Sequence, residues 1–564
     1  MFQLPRDAAT TASAPPRREL RWSGWGDPAQ AASLDPRIAK LARAVLGLRQ
    51  PSPPVPRERV RLEASRLGER LATQFEELLG APYVRRDARC RLAHALGRST
   101  PDLLRMRRGD IASAPDAVLL PADHGQVQAV LELCAHARIA VVPFGGGTSV
   151  VGGLEPDASP YVAKIALDLR RLDRLLDLDE RSRTATLEPG LQGPQAEALL
   201  GERGYTLGHY PQSFEYATLG GFAAARSSGQ ASAGYGRFDE RVLAVRLATP
   251  RGTLQLGRAP RSAAGPDLRQ LALGCEGALG VITALRVEIS PLPERRVYEG
   301  WRLPSFAHGL EALRRLAQDG PCPAVLRLSD EAETAVELAA IGGRESSGAR
   351  RRRGRRPAAG TAEGGERAGG AGGALVIAGY EGSLPEVRRR RKQAAAVISG
   401  LGGQPAPAAG ARWAAARYRA PYLRDALLDE GALVETLETA CFWSALEPTY
   451  EHVAEALRST LAARGTPPLV LCHVSHVYRS GASLYFTVVA AAAEDPIAQW
   501  YEAKRAASEA ILACGATISH HHGVGRDHRA YYARELGPLG VELLRAVKAT
   551  LDPEGILNPG VLVP

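Results

Sequence analysis

The chain has 564 residues, 45% of them apolar and 23% charged, which is long enough for two or three domains with buried cores and close to globular averages. No stretch approaches the roughly eighteen uncharged apolar residues of a membrane-spanning helix, so fibrous, wholly disordered and helical integral-membrane readings are set aside. The formal charge of +10 leaves nucleic acid, an anionic membrane and an anionic substrate open as partners until the charges are located.

Only five of the 71 basic residues are lysine, which points to GC-rich coding rather than a designed surface. Seven scattered cysteines, none in C-x-x-C spacing, predict neither a disulfide framework nor a zinc site and suit a reducing cytosol. The first twenty residues lack an apolar signal core, and the C-terminus carries no retention or peroxisomal tripeptide, so the expected location is cytoplasmic.

Residues 1 to about 60 are rich in Pro, Arg and Ala and read as a mobile arm with one docking point, the aromatic island RWSGWG at Arg21 to Gly26. From about 60 to 98 the spacing of Leu71, Phe75, Leu78 and Leu79 predicts helix. Short β runs then alternate with amphipathic helices: Ala117 to Leu120, a helix over His124 to Ala137, and the strand Ile139 to Phe144, an α/β arrangement. Residues 343–373, dominated by Gly, Arg and Ala, predict a disordered insertion. Beyond it come a strand over 374–382, a helix from about Leu384 containing Arg388 to Lys392, a strand over Ser483 to Val489 and a helix over Ile497 to Ala513. The predicted divisions are an N-terminal arm and helical region (1–110), a nucleotide domain (111–292), a cap or substrate domain (293–515) and a C-terminal segment (516–564).

The segment VVPFGGGTSVVGG, Val141 to Gly153, is a strand ending in three glycines and two hydroxyls. Glycine admits positive φ and lets backbone N–H groups face a diphosphate, although a tight structural turn has the same composition. Neither a Rossmann G-x-G-x-x-G nor a Walker Gly-Lys-Ser/Thr follows. PQSFEYATLGGFAAARSSG (Pro211 to Gly229) and DLRQLALGCEGALGVI (Asp267 to Ile282) are suited to further contacts, with Glu276 as an acceptor for a ribose or ring N–H. Candidate cofactor contacts, on these segments and on the family resemblance they carry, are Pro143, Gly145, Gly146, Gly147, Thr148, Ser149, Gln212, Ser213, Thr218, Gly221, Arg226, Ser227, Ser228, Glu276, Gly277, Gly280, Val281 and Ile282.

These three segments resemble the FAD-binding domain of the vanillyl-alcohol oxidase family, over about residues 85 to 564. The resemblance implies an α+β fold in which a two-subdomain FAD-binding domain carries an α+β cap domain and an N-terminal helical region. Many relatives tether FAD through a histidine in or near the first loop. This loop has none, so the expected FAD is non-covalent.

Downstream, ISHHHGVG (Ile518 to Gly525) places His520, His521 and His522 in a row. In an extended chain neighbours point to opposite faces, so at most two could share one ion, and no metal is predicted; acid–base work needs only one or two pointing inward. The Gly-Glu-His-Gly motif typical of the related 2-hydroxy-acid dehydrogenases is absent, and the run, with RWSGWG, Leu326-Arg-Leu, Tyr422-Leu-Arg-Asp and Ser483-Leu-Tyr-Phe, resembles the alkyldihydroxyacetonephosphate synthase family. That resemblance implies a redox-neutral exchange in which a long-chain fatty alcohol replaces the acyl chain of acyl-dihydroxyacetone phosphate, with FAD as electrophile. It implies Tyr485 and the triplet as catalytic residues and Arg424 and Arg327 as substrate-side cations. A 2-hydroxy-acid dehydrogenase or oxidase is the alternative, and a homodimer is open.

Departures from the family are Gln212 for a usual Asp, Ala278 for a common Thr, and the Gly/Arg insertion in place of an apolar region gating the lipid tunnel. Residues 343–373 hold eight Arg and three Glu, and 386–392 hold four Arg, one Lys and one Glu. Nearly all the net charge thus lies beside the cap domain, which disfavours a nucleic-acid footprint; the insertion reads first as a solvated surface loop, with contact to a partner or to an anionic membrane at its inner face as the alternative.

Overall fold

The computed structural model describes residues 14–564 apart from 32, 33, 35, 49, 113 and 338–372, so the segment read as a disordered insertion lies, but for Gly373, outside the described residues. Three parallel strands, Ala117–Leu119, Ala163–Asp168 and Ile139–Phe144, join an antiparallel Val84–Arg85 in one small sheet. The helix His124–Ala137 makes the crossover between Ala117–Leu119 and Ile139–Phe144, and buries Val127, Val130, Leu131 and Cys134. A second, antiparallel sheet follows, in the order Leu175–Asp179, Thr184–Leu187, Val281–Glu288, Val242–Thr249 and Gly252–Leu256.

The helical prediction over 60–98 is only partly right. Helix spans Glu69–Leu79 and Ala88–Ala93, while residues 60–68 run without helix to Gly68, which caps the first of them. The arm likewise does more than dock at one point, because residues 17–27 bond along both the nucleotide domain and the cap. All seven cysteines are free.

The cap is a seven-stranded antiparallel sheet, ordered Gln404–Pro405, Arg295–Leu303, Ala374–Gly382, Val325–Ser329, Leu469–Val477, Gly481–Ala491 and Ala432–Phe442. One face packs under the helices Phe306–Gln318, Leu384–Gly400, Trp443–Ala463 and Pro496–Ala513. In Gly481–Ala491 the period-two alternation sends Ala482, Leu484, Phe486, Val488 and Ala490 into that core and leaves Ser483, Tyr485 and Thr487 on the opposite face. A one-residue slip would expose all five at about 1.5–3 kcal/mol for each large side chain, so the core fixes the register that aims Tyr485. The polar face turns toward the nucleotide domain, where His476 meets Ser228, and the C-terminal residues return to that domain's first sheet: Val141 N–H donates to Ile556 O and Asn558 N–H to Val141 O.

Candidate active site

Three strands contribute one row across the polar face, since Tyr485 pairs with Glu438 on one side and His473 on the other. The His473 ring stacks on Tyr485 at 4.8 Å. Arg327, on the next strand, donates to Glu333 at 2.8 Å, and Glu333 also meets His473 at 3.1 Å. Burial pushes the Tyr485 phenol up to about 12, so it stays protonated.

The triplet wraps around Glu438, whose side chain has no solvent exposure. Its carboxylate accepts from Ser519 Oγ at 2.8 Å and from the backbone N–H groups of His520, His521 and His522 at 2.7, 3.2 and 2.9 Å. Burial opposes this charge, but at the acid pH where the carboxyl titrates the facing imidazoles are protonated, and they, His521 foremost, with the His522 N–H outweigh burial and hold the carboxyl well below its usual range. Burial pushes the His522 imidazole down to about 3 and lowers those of His520 and His521. At neutral pH the site therefore carries one buried carboxylate under three uncharged imidazoles. His521 Nδ1 lies 2.9 Å from His520 Nδ1 and 3.5 Å from Glu438, and its ring stacks on Tyr485 at 6.0 Å. Tyr478 OH meets His520 Nε2 at 2.6 Å.

A fourth histidine joins them. His476 is fixed through Nδ1 by Ser228 Oγ at 3.1 Å and Ser232 Oγ at 2.9 Å, and it stacks on His520 at 5.1 Å. His473 and His476 are three residues apart and would face opposite ways in a regular strand, but a register shift between Val474 and Val477 turns both to the site. His476, His520 and His521 bring ligand atoms within 4.8 Å of one another. Two come from the turn that carries the triplet and the third from the strand Leu469–Val477, a convergence invisible to spacing along the chain.

On the nucleotide side, Pro143 is the penultimate residue of its strand, which ends at Phe144, and Gly145 to Ser149 form the turn. A Cβ on Gly146 would sit 2.2 Å from Tyr216 O, so only glycine permits this backbone approach. Thr218 caps the helix Leu219–Ala224, accepting from Gly221 N–H at 3.3 Å. Ser213 O accepts the backbone N–H groups of Tyr216 and Ala217 at 3.0 and 2.9 Å, and Ser227 Oγ meets His209 Nε2 at 3.1 Å. Among the described residues the buried Gln212 Nε2 has no hydrogen-bond partner. A glycine cradle with an unpartnered amide beside it fits a diphosphate-bearing nucleotide such as FAD.

Two cofactor assignments need correction. Arg226 donates to Leu273 O and Gln270 O at 3.0 Å each and pairs with Asp239 at 3.4 Å, so its fork ties the turn at 270–274. Glu276 does not wait for a ribose: its oxygens accept Val524 N–H at 2.6 Å and Gly525 N–H at 2.9 Å, clamping the chain just after the histidines. Burial pushes this carboxyl up to about 7 against those two donors. Gly277 packs against Pro143 and Gly280 against Leu247, while Val281 and Ile282 open a buried strand. Ser228 serves His476. Sequence reasoning missed Glu438, His473, His476 and Tyr478; the alternation in LVETLETACF marks a two-faced strand but does not say what faces its acids.

Residues 115–256 match the family described as an FAD binding domain, and residues 292–562 match the C-terminal domain of FAD linked oxidases. Together with the cradle, these define the class: an FAD-dependent enzyme of two-subdomain nucleotide domain plus cap. The alkyldihydroxyacetonephosphate synthase of Dictyostelium discoideum is 33% identical over 85% of this chain and 78% of its own length. That of Trypanosoma brucei brucei is 32% identical over 97% of this chain and 92% of its own. A solved alkyldihydroxyacetonephosphate synthase superposes with a TM-score of 0.79 at 26% identity, covering 96% of this chain and 98% of that one. The chain belongs to the alkyldihydroxyacetonephosphate synthase family.

Proposed function

We propose that this protein exchanges the acyl chain of acyl-dihydroxyacetone phosphate for a long-chain fatty alcohol, a step of ether-lipid synthesis. The observation that carries the reading is the ring of neutral imidazoles held on one buried carboxylate and stacked against Tyr485, together with membership of the family. Bound FAD supplies an electrophilic ring without net redox change, held non-covalently because loop 143–153 contains no histidine. His521 takes the substrate proton at Nε2, the ring atom with no hydrogen-bond partner among the described residues. Its Nδ1 side faces Glu438, so the imidazolium that forms gains a carboxylate at 3.5 Å. Tyr485, still protonated, donates a hydrogen bond to the oxygen on which negative charge gathers. Arg424 lies close enough to Tyr485 to stabilise its charged form, and Arg424 and Arg327 are the forked cations for the phosphate.

The basic stretch at Arg388 to Lys392, with the Arg-rich segment before it, is proposed to hold the cytoplasmic enzyme on an anionic membrane surface. The test of function is an assay of the purified yellow protein with acyl-dihydroxyacetone phosphate and hexadecanol. The alkyl product is expected. FAD binding without exchange would refute the reading, and anaerobic bleaching by D-lactate or glycolate would favour a dehydrogenase.

A further inference from the structure

The motif RWSGWG is absorbed by no step of that chemistry, yet its surroundings are unusually specific. Its backbone lies on the cap helix Ala420–Asp429, at Asp425, a carboxylate only 3% exposed. Asp425 Oδ2 accepts Trp25 N–H at 2.5 Å and Arg21 Nη2 at 2.9 Å, while Oδ1 accepts Arg424 Nη2 at 3.2 Å. The same strap takes up Arg98, whose guanidinium donates to Gly24 O at 2.8 Å and Arg21 O at 2.9 Å. Arg98 O in turn accepts Arg424 Nη1 at 3.1 Å, and Arg98 N–H donates to Ser149 O in the glycine loop at 2.5 Å. Both anchors of Arg424 are thus themselves held by the strap.

The glycines of the motif follow from this contact. A Cβ on Gly24 would fall 2.3 Å from Asp425 Oδ2, and one on Gly26, at φ +67°, would fall 2.0 Å from Tyr422 OH. The Trp25 ring meets Tyr216 of the nucleotide domain edge-on at 5.6 Å, and Tyr216 OH meets Tyr422 OH of the cap at 3.1 Å. Asp27 N–H donates to both hydroxyls, at 3.0 and 3.2 Å. The strap therefore pins the joint between the two domains at the point where Arg424 emerges.

We infer that the RWSGWG strap, acting through Asp425 and Arg98, is a positioning device that aims Arg424 at the anionic end of the substrate. Without the Asp425 charge and the Arg98 carbonyl, the long arginine side chain has many rotamers open to it, and each one restrained beforehand lowers the cost of binding. The inference rests on the proposed reading of Arg424 as the phosphate contact, and part of its test is independent of that reading.

The test compares Asp425→Asn, Arg21→Met and Arg21→Lys with the wild-type holoenzyme. Reaction of Arg424 with phenylglyoxal, followed by peptide mass spectrometry, reads its restraint without turnover. Losing one charge-assisted bond should make modification roughly tenfold faster in Asp425→Asn and Arg21→Met, and Arg21→Lys should restore protection. In the exchange assay the first two should raise KM for acyl-dihydroxyacetone phosphate by about tenfold and leave KM for hexadecanol unchanged. Bound flavin should remain at the wild-type level. Unchanged Arg424 protection in both variants overturns the inference, as does a matched rise in both KM values with loss of flavin, which marks a merely structural strap. If the wild type performs no exchange, the functional reading fails while the modification rates still decide whether the strap restrains Arg424.

Discussion

Replacing Glu438 by Gln tests whether one carboxylate holds the histidine loop. The substitution keeps the shape but places an NH2 where one oxygen stood, among four donors that can use only acceptors. If the amide nitrogen takes the Oε2 position, His520 N–H loses its partner and is left buried, at about 1–3 kcal/mol. The three donors on Oε1, Ser519 Oγ and the His521 and His522 N–H groups, change from charge-assisted to neutral bonds, each losing about 1 kcal/mol. The total is about 4–6 kcal/mol, which, with the cap of about 220 residues as the unfolding unit, is expected to lower its midpoint by roughly 10 °C. If about 4 kcal/mol of that also positions His521 in the transition state, turnover falls by roughly three orders of magnitude. Midpoints come from flavin release on heating and rates from the exchange assay at several pH values. The carboxyl is depressed in the fold, so in the wild type its stabilisation is fully present above about pH 4.5, its unfolded value, and is lost as pH falls through the folded value. Glu438→Gln should lack that acid limb. A midpoint within about 2 °C of wild type with turnover intact would refute the reasoning, because the loop would then be held by something other than this charge.

His521→Ala and Tyr485→Phe are each expected to abolish exchange while the flavin absorbance spectrum stays that of wild type; loss of bound FAD would make either residue structural instead. Gly146→Ala forces a Cβ against Tyr216 O and should yield folded protein with little flavin, checked by the ratio of flavin to protein absorbance. Burial pushes Asp527 up to about 7, and its Oδ2 has no hydrogen-bond partner among the described residues. A raised carboxyl binds its proton more tightly folded than unfolded, so stability falls as pH rises from about 4 to 7, with Glu276 adding the same sign. Asp527→Asn should therefore raise the midpoint at pH 8 more than at pH 5; equal shifts would sink the assignment.

The helix His124–Ala137, the strand before the glycine loop and the glycines themselves are legible in the sequence because periodicity and backbone permissiveness are local properties. The triplet, too, announces a functional loop by composition alone. What the sequence cannot supply is what faces these groups. Glu276 looks like a ligand acceptor until Val524 and Gly525, 248 and 249 residues away, fill its oxygens. Arg226 looks like a cofactor contact until the turn at 270–274 takes its guanidinium. Glu438 is one acid among many in an alternating strand, and it becomes the site's anchor only because three β-strands align it with Tyr485 and a C-terminal turn folds its N–H groups around it. His476 reaches the site through a bulge that no spacing rule foretells. Local chemistry along the chain marked the glycine loop and the histidine run; long-range hydrogen bonding and sheet register decided partnership, charge state and aim, because those depend on which distant atoms burial brings within about 3 Å.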